Sequence, residues 1–177
     1  MSYEVTRLNL RESQGIIEKY HRHSKPLKRH IFSIGAIKDL HCVGVLTVGR
    51  PSSALTRYSN YIEIKRVCVM GEHKNAASFL IGHACNACFS MGYSTILSYT
   101  QSWESGSSLL GSGFHIEKVA AITKYKDGRV EGGLVSWVKH KYGPTKKQDR
   151  ERSKRWLAET HEFLGGEIME ANSNEEN

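Results

Sequence analysis

Residues 61–114 constrain the fold more than any other part of the chain, because their pattern changes from strand to helix and back within a few residues. Residues 61–69 alternate apolar and polar side chains, which is typical of a strand between two different surroundings. Residues 76–91 repeat apolar side chains at helical spacing until a glycine ends the pattern. A second strand follows at residues 94–100 and a short helix at residues 107–113. This order predicts two parallel strands joined by a helical crossover.

The turn between the first strand and the helix, residues 71–75, is a candidate anion site. Asn75 is expected to be the N-cap of the helix. The first turn of a helix has free backbone N–H groups and lies at the positive end of the helix dipole. The start of this helix is therefore expected to hold a pyrophosphate.

The flanking sequence predicts a strand, a helix and two hairpins around this unit. The strand occupies residues 3–8 and the helix residues 11–20. The first hairpin joins residues 31–38 to 41–48 around Asp39 and Leu40. The second joins residues 116–125 to 134–139 across Asp127 and Gly128. Residues 51–60 form a polar loop. We expect one domain over residues 1–143, a basic helix over residues 144–166 and a disordered acidic tail over residues 167–177.

The length and the apolar runs limit the class of protein. A chain of 177 residues has room for one domain with a full core. No apolar run is long enough for a bilayer, and the N-terminus lacks a signal-peptide core, so we expect a cytoplasmic protein without a membrane partner. The four cysteines lie in apolar patterns, which favours core positions over disulfides. Cys85 and Cys88 have CxxC spacing, so a zinc or redox role stays open as the alternative.

The chain is basic, with 25 lysines and arginines against 18 acidic residues and a formal net charge of +7. Two runs concentrate this charge. Residues 19–30 carry five basic side chains and no acidic one, and residues 139–155 carry eight basic side chains against two acidic ones. Such runs can be solvated faces, but two of them beside one proposed site also predict a surface for DNA.

Five strings in the sequence resemble those of one enzyme superfamily. YIEIKRVCV with the helix that follows it, STILSYT and SSLLGSGF resemble the acyl-CoA-binding half of the GNAT acyltransferases. YHRHSKP and KNAAS are similar to the Mom-like branch of that superfamily, a group of bacteriophage DNA-modification proteins. The resemblance covers about residues 3–140. One departure is that the usual pyrophosphate loop carries several glycines, whereas GEHKNAAS has only Gly71.

The resemblance implies an α/β (α+β) fold whose central sheet is mostly antiparallel and is parallel only at its fourth and fifth strands. It implies acetyl-CoA or a related acyl-CoA as the donor, DNA as the acceptor, and the cytoplasm of a bacterial host as the location. The donor contacts that it implies are the backbone of Val67, Cys68 and Val69, the loop and helix start at Lys74, Asn75, Ala76, Ala77 and Ser78, and the pair Ser107 and Ser108. The oligomeric state is open between monomer and homodimer.

Glu63 is the first candidate for catalysis. A carboxylate inside an apolar strand is costly to bury, so it either pairs with a cation or acts as a base. Arg66 is not expected to be its partner, because residues three apart in a regular strand lie on opposite faces. The resemblance implies that Glu63 deprotonates the acceptor, directly or through water; an outward-facing strand residue is the alternative.

The string YHRHSKP supplies the second group of candidates. His21 and His23 flank Arg22 at a spacing that places both imidazoles on one side of an extended segment. They can act as an acid and base, bind phosphate, or, less favoured, bind a metal together with His30. The resemblance places Tyr20, His21, Arg22 and His23 beside the reactive centre.

Tyr99 is the third candidate, since open α/β sheets bind ligands at the ends of their strands. Its phenol can protonate a leaving thiolate, or it can be a packed aromatic. Ser107 and Ser108 can also be plain helix caps. The residues expected to contact the acceptor are Arg22, Lys25, Arg57, Tyr58 and Arg66.

Three functions follow from these residues. The sequence contains no serine-hydrolase elbow, Walker loop or dinucleotide fingerprint, so direct attack by an acceptor nitrogen on a thioester is favoured. The leading hypothesis is an acyltransferase that modifies a base in DNA. The alternatives are an N-acetyltransferase for a small amine, protein or tRNA, and a GNAT-like protein that binds nucleic acid without catalysis.

Overall fold

The structure, a computed structural model, describes residues 2–20, 27–51, 59–120, 123–124, 130–131 and 133–142. The elements are β1 (Glu4–Leu8), α1 (Leu10–Tyr20), β2 (Phe32–Lys38), β3 (His41–Gly49), β4 (Tyr61–Val69), α2 (Ala76–Ser90), β5 (Thr95–Gln101), α3 (Ser107–Gly111), β6 (His115–Val119), β7 (Thr123–Lys124), β8 (Val130–Glu131) and β9 (Leu134–His140). The helix and tail expected at residues 144–166 and 167–177 lie outside the described residues.

Seven strands form one sheet in the order β1-β2-β3-β4-β5-β9-β6. Its neighbouring strands are antiparallel except β4 and β5, which run parallel and are separated in sequence by α2. This confirms the mixed, mostly antiparallel sheet that was expected. The β2–β3 hairpin turns at Asp39 and Leu40, whose φ angles of 50° and 65° are those of a tight hairpin turn.

Helices α1 and α2 cover opposite faces of the sheet. Leu46 and Val67 pack with α2 in the larger core, whereas Val45 and Cys68 pack against Ile17 of α1. Successive strand residues point to opposite faces, so this sorting assigns one face to each helix. We call them the α2 face and the α1 face.

Cys85 and Cys88 are buried in the larger core on the α2 face. Burial raises the pKa of Cys85 to about 11 and, together with the neighbouring thiol, that of Cys88 to about 12. Both thiols therefore stay protonated at neutral pH. Because the thiolate is the form that binds metal or attacks a disulfide, these positions favour packing over the zinc or redox alternative.

The second predicted hairpin forms in two parts. β6 pairs with β9 in the large sheet, and the short strands β7 and β8 pair with each other in a separate sheet. The predicted turn at Asp127 and Gly128 lies outside the described residues. Within the part of the chain that the structure describes, no helix is long and apolar enough to cross a membrane.

Candidate active site

β4 and β5 separate partway along their length and leave a cleft between them. Their pairing ends where Ile64 lies opposite Ser98, although β4 continues to Val69 and β5 to Gln101. The cleft has a volume of about 760 Å³. Beyond the pair formed by Ile64 and Ser98, the two strands have no further residues paired with each other in the sheet. An extended ligand with amide groups can therefore pair with their facing edges, as a peptide does when it adds a strand.

Side chains from both strands and from α2 and α3 line this cleft. The predicted site residues among them are Glu63, Arg66, Val67, Val69, Ala77, Tyr99, Ser107 and Ser108. Sequence reasoning did not single out Lys65 or Trp103, which also line it. Trp103 has 51% of its surface exposed. It comes just after the end of β5, and this position was the sequence signal that could have identified it as a site residue.

A β-bulge in β4 reverses the side-chain alternation in the middle of the site. The register with β3 shifts after the pair formed by Thr47 and Arg66, so Lys65 is the extra residue of the bulge. Before the bulge, the β4 residues with even numbers pack in the core on the α2 face. After the bulge, a residue with an odd number packs there instead. Glu63 and Arg66 therefore both lie on the α1 face. The prediction of opposite faces is wrong, because it assumed a strand without a bulge.

Glu63 forms an ion pair with Lys65. Lys65 Nζ donates to Glu63 Oε2 at 2.7 Å, and the two side chains are only 13% and 7% exposed. The carboxylate therefore has a cation as its partner, and its role as a base stays a prediction. Both groups still line the cleft, so a ligand there would meet the pair.

Arg66 belongs to a row of polar side chains on the α1 face. It lies opposite Thr47, which lies opposite Ser33 of β2. The Thr47 hydroxyl is buried and has no hydrogen-bond partner among the described residues. Burial lowers the pKa of Arg66, and the Glu63 carboxylate offsets part of this effect. A guanidinium nevertheless stays charged at neutral pH, so Arg66 keeps a cation beside the Glu63–Lys65 pair.

Tyr99 faces the cleft from β5, and its surroundings keep the phenol protonated. Burial raises the pKa of Tyr99, and the negative charges of Glu63 and Glu117 raise it further, while a hydrogen bond with Ser136 opposes them. At neutral pH the side chain is therefore a neutral hydrogen-bond and proton donor. This is the state that the proposed general acid needs.

A second hollow of about 450 Å³ continues from the cleft to the start of α2. It shares Val69, Ala77, Ser107 and Ser108 with the cleft and adds Ser78, Asn75, His73 and Gly111. Both predicted groups of donor-binding residues, at the helix start and in α3, thus meet at this hollow.

Asn75 is the left-handed residue that directly precedes α2. Its φ of 64° and ψ of 2° are left-handed, a conformation that glycine usually supplies and that asparagine adopts more readily than most residues. The side chain makes no cap hydrogen bond, so Asn75 occupies the predicted N-cap position through its backbone alone. The Ala76 N–H donates to the His73 carbonyl at 3.2 Å. The amides of Ala77 and Ser78 are the next donors of the first helical turn.

Gly106, rather than a serine, is the N-cap of α3. It has a left-handed φ of 58° and lies against the ring of Trp137. Ser107 and Ser108 are already inside the helix, so neither is its N-cap.

Tyr3, which lies just before the edge strand β1, holds the loop before α2. Its hydroxyl donates to the Lys74 carbonyl at 2.8 Å, and its ring lies 5.5 Å from that of Phe79. The Lys74 side chain itself is exposed. Since the Lys74 carbonyl directly precedes the left-handed Asn75, this contact fixes the turn that aims the first amides of α2.

The remaining predicted site residues are not brought to the cleft by the described part of the chain. Tyr20 ends α1, is 44% exposed, and has Lys19 Nζ 5.1 Å from its ring centre. The side chain of Cys68 packs on the α1 face and that of Ala76 is fully buried, so only their backbone groups can serve a ligand. The residues that lie outside the described ranges are His21, Arg22, His23, Lys25, Arg57 and Tyr58.

His30 is the one described member of the histidine group considered for metal. Its Nδ1 lies 2.6 Å from Ser33 Oγ, and burial, with a smaller effect of Arg7, lowers its pKa. Among the described residues, no three histidine, cysteine, aspartate or glutamate side chains are grouped so that they could hold a metal ion.

No protein-family model and no curated protein matches the sequence. Solved structures with a similar fold include several acetyltransferases. One from Bacillus subtilis in complex with CoA is 14% identical, with a TM-score of 0.61 over 80% of this chain and 100% of that one. A GNAT family acetyltransferase from Elizabethkingia anophelis with acetyl-CoA bound is 11% identical, with a TM-score of 0.57 over 78% and 97%. The ribosomal-protein-S18-alanine N-acetyltransferase from Escherichia coli is 11% identical, with a TM-score of 0.57 over 82% and 98%. The chain therefore has the GNAT acetyltransferase fold.

Proposed function

We propose that the protein is an N-acyltransferase that uses acetyl-CoA or a related acyl-CoA. The observation that carries this proposal is the cleft between the diverging strands β4 and β5, which continues into a hollow at the start of α2. Two proteins with this fold are described with CoA or acetyl-CoA bound. A long ligand with amide groups at one end and phosphates at the other matches such a site, because strand edges pair with amides and helix starts bind anions.

The donor-binding residues follow from this arrangement. The amides of Ala77 and Ser78 would hold the pyrophosphate, with the turn at Lys74 and Asn75 shaping the loop. The backbone from Val67 to Val69 would pair with the amides of the pantetheine arm. Ser107 and Ser108 line both the cleft and the hollow and would flank that arm.

Glu63 and Tyr99 would carry the proton transfers. The bound thioester supplies an activated carbonyl carbon to the acceptor nitrogen. Glu63 takes the proton that the nitrogen loses as the C–N bond forms, and Tyr99 gives its proton to the sulfur as the C–S bond breaks. Both residues line the same cleft, and Tyr99 is kept neutral by its surroundings. Holding the two reactants together supplies much of the remaining rate.

The acceptor that we propose is a base in DNA, in the manner of the Mom-like phage proteins that the sequence resembles. The net charge of +7 and the basic runs at residues 19–30 and 139–155 support it. His21 and His23 would assist at the reacting base, and Arg22, Lys25, Arg57, Tyr58 and Arg66 would contact the nucleotide. A base stacked in a duplex is poorly accessible to a cleft, so the enzyme would flip it or act on single strands.

An N-acetyltransferase for a protein or small amine is the second candidate. The fold supports it equally, since one protein with this fold is described as acting on an alanine of a ribosomal protein. Glu63 and Tyr99 would serve either acceptor. A binding protein without catalysis is less well supported, because Glu63 lies in the cleft.

Donor binding and acceptor choice can be tested together. Calorimetry should show that acetyl-CoA and CoA both bind. After incubation with acetyl-CoA and DNA, mass spectrometry of the nucleosides should show one acylated base, and DNA affinity should fall steeply with salt because the basic runs meet phosphates. The incubation is carried out in parallel with single-stranded DNA and with duplex DNA. If neither acetyl-CoA nor CoA binds, with or without DNA, an acyl-CoA-dependent transferase is excluded. If acetyl-CoA binds and an amine is acylated while DNA is neither bound nor changed, the second candidate replaces the first.

Replacing Tyr3 with phenylalanine should weaken donor binding by about fivefold, because one hydrogen bond contributes about 1 kcal/mol and here it holds the donor loop. The ring contact with Phe79 stays, so the melting temperature should fall by only about 2–4 °C. Calorimetry with CoA measures the effect. Tyr142→Phe, at an exposed tyrosine, is the matched control and should bind as the parent does. Equal affinity in Tyr3→Phe would show that the loop holds its shape without this bond.

A further inference from the structure

Lys65 brings an amine to the group that is proposed as the catalytic base. Its Nζ lies 2.7 Å from Glu63 Oε2, and both side chains line the cleft. N-acylation requires an amine, a proton acceptor beside it and a thioester within reach. From these positions we propose that Lys65 is itself an acyl acceptor, modified at Nζ by the acyl-CoA bound in the cleft. The proposal rests on the proposed function, because it uses the same donor.

The bulge and a glycine place the Lys65 amine. Lys65 is the extra residue of the bulge, so its side chain leaves a part of β4 where regular alternation is interrupted. Its stem runs over Gly49 of β3, where an added Cβ would lie 3.2 Å from Lys65 Cγ and 3.5 Å from Cε. A Cβ at position 49 would therefore push the stem aside by a few tenths of an ångström. The result is an amine whose side chain is only 13% exposed and whose head points to Glu63.

The transfer balances without a further reactant. Lys65 starts as an ammonium group and gives one proton to Glu63, which frees the Nζ lone pair. The lone pair forms a bond to the acyl carbon, the C–S bond breaks, and the sulfur takes a proton from Tyr99. The second proton on nitrogen returns to Tyr99 through solvent, and Glu63 releases its proton to water. The products are a neutral amide at Lys65, a free thiol and one proton.

Acylation would change the charge of the site. The Glu63–Lys65 ion pair would be lost, because an amide nitrogen carries no positive charge. The amide N–H can still donate to Glu63 Oε2, so the carboxylate would keep a hydrogen bond but lose the neighbouring ammonium. Arg66, whose pKa Glu63 already influences, would then be the nearest cation to the carboxylate on β4.

The experiment follows the acyl group on the protein itself. The full chain is incubated with acetyl-CoA and no acceptor, and intact mass with peptide mapping identifies the modified lysines. Lys65 should be acetylated about a hundredfold faster than Lys118, an exposed lysine on β6 that reports the uncatalysed reaction. The rate at Lys65 should saturate with donor concentration, whereas the rate at Lys118 should rise in proportion to it.

Three variants separate this proposal from the proposed function. Lys65→Arg should lose the label at position 65 while calorimetry still detects acetyl-CoA binding. Glu63→Gln should slow labelling of Lys65, and Gly49→Ala should slow it with Glu63 intact, because the added methyl group moves the lysine stem. Labelling of Lys65 no faster than that of Lys118, with donor binding intact, overturns this inference and leaves the acyltransferase standing. Absence of both donor binding and labelling overturns both.

Discussion

Glu63→Gln is expected to lower turnover by about a hundredfold or more, since a glutamine cannot accept the proton that the acceptor nitrogen loses. The structure adds an effect on folding. Glutamine leaves the Lys65 ammonium largely buried without its carboxylate, which should cost about 3 kcal/mol of stability. Turnover is measured by release of free thiol, and stability by denaturant unfolding.

A double variant separates chemistry from folding in this prediction. Glu63→Gln with Lys65→Met removes both charges of the pair and should recover most of the lost stability, because no buried lysine is left without its carboxylate, while turnover stays low. Glu4→Gln, at an exposed position on β1, is the matched control and should behave as the parent. Parental turnover in the folded double variant would remove Glu63 from the mechanism.

Gly106→Ala is expected to cause the largest loss of stability of any single methyl addition at the site. A Cβ at position 106 would lie 2.3 Å from the Trp137 ring, which is fully buried and donates through Nε1 to Thr100 Oγ1 at 2.9 Å. The left-handed φ of 58° adds strain of about 1 kcal/mol. With overpacking of about 2 kcal/mol, the total is about 3 kcal/mol, or about 10 °C in melting temperature.

The donor site should change with it, because Gly106 is the N-cap of α3, and three residues of that helix line the cleft. Calorimetry with CoA should therefore show weaker binding in any Gly106→Ala protein that folds. Gly82→Ala is the matched control, since nothing lies within 4 Å of the added atom and alanine favours a helix by about 0.5–1 kcal/mol. A Gly106→Ala protein as stable as Gly82→Ala would mean that Trp137 can move aside at little cost.

The sequence by itself determined the order and type of the elements around the site. Helix and strand periods are local properties, so β4, α2, β5 and α3 could be read from residues 61–114 with small errors at their ends. The parallel pair followed from the crossover rule, and the buried positions of Cys85 and Cys88 followed from apolar spacing. Glu63 was identified as a candidate site residue because a carboxylate is costly to bury in an apolar strand.

Only the tertiary structure decided which side chains share the site. The bulge at Lys65 depends on the register between β3 and β4, and it overturned the expected placement of Arg66 relative to Glu63. The cleft exists because β5 leaves β4 after Ser98 and continues along β9, a choice of partner between distant segments. The left-handed turn at Asn75 is held by Tyr3, a residue 71 positions before Lys74. Such contacts join residues far apart in the chain, and a local pattern carries no information about them.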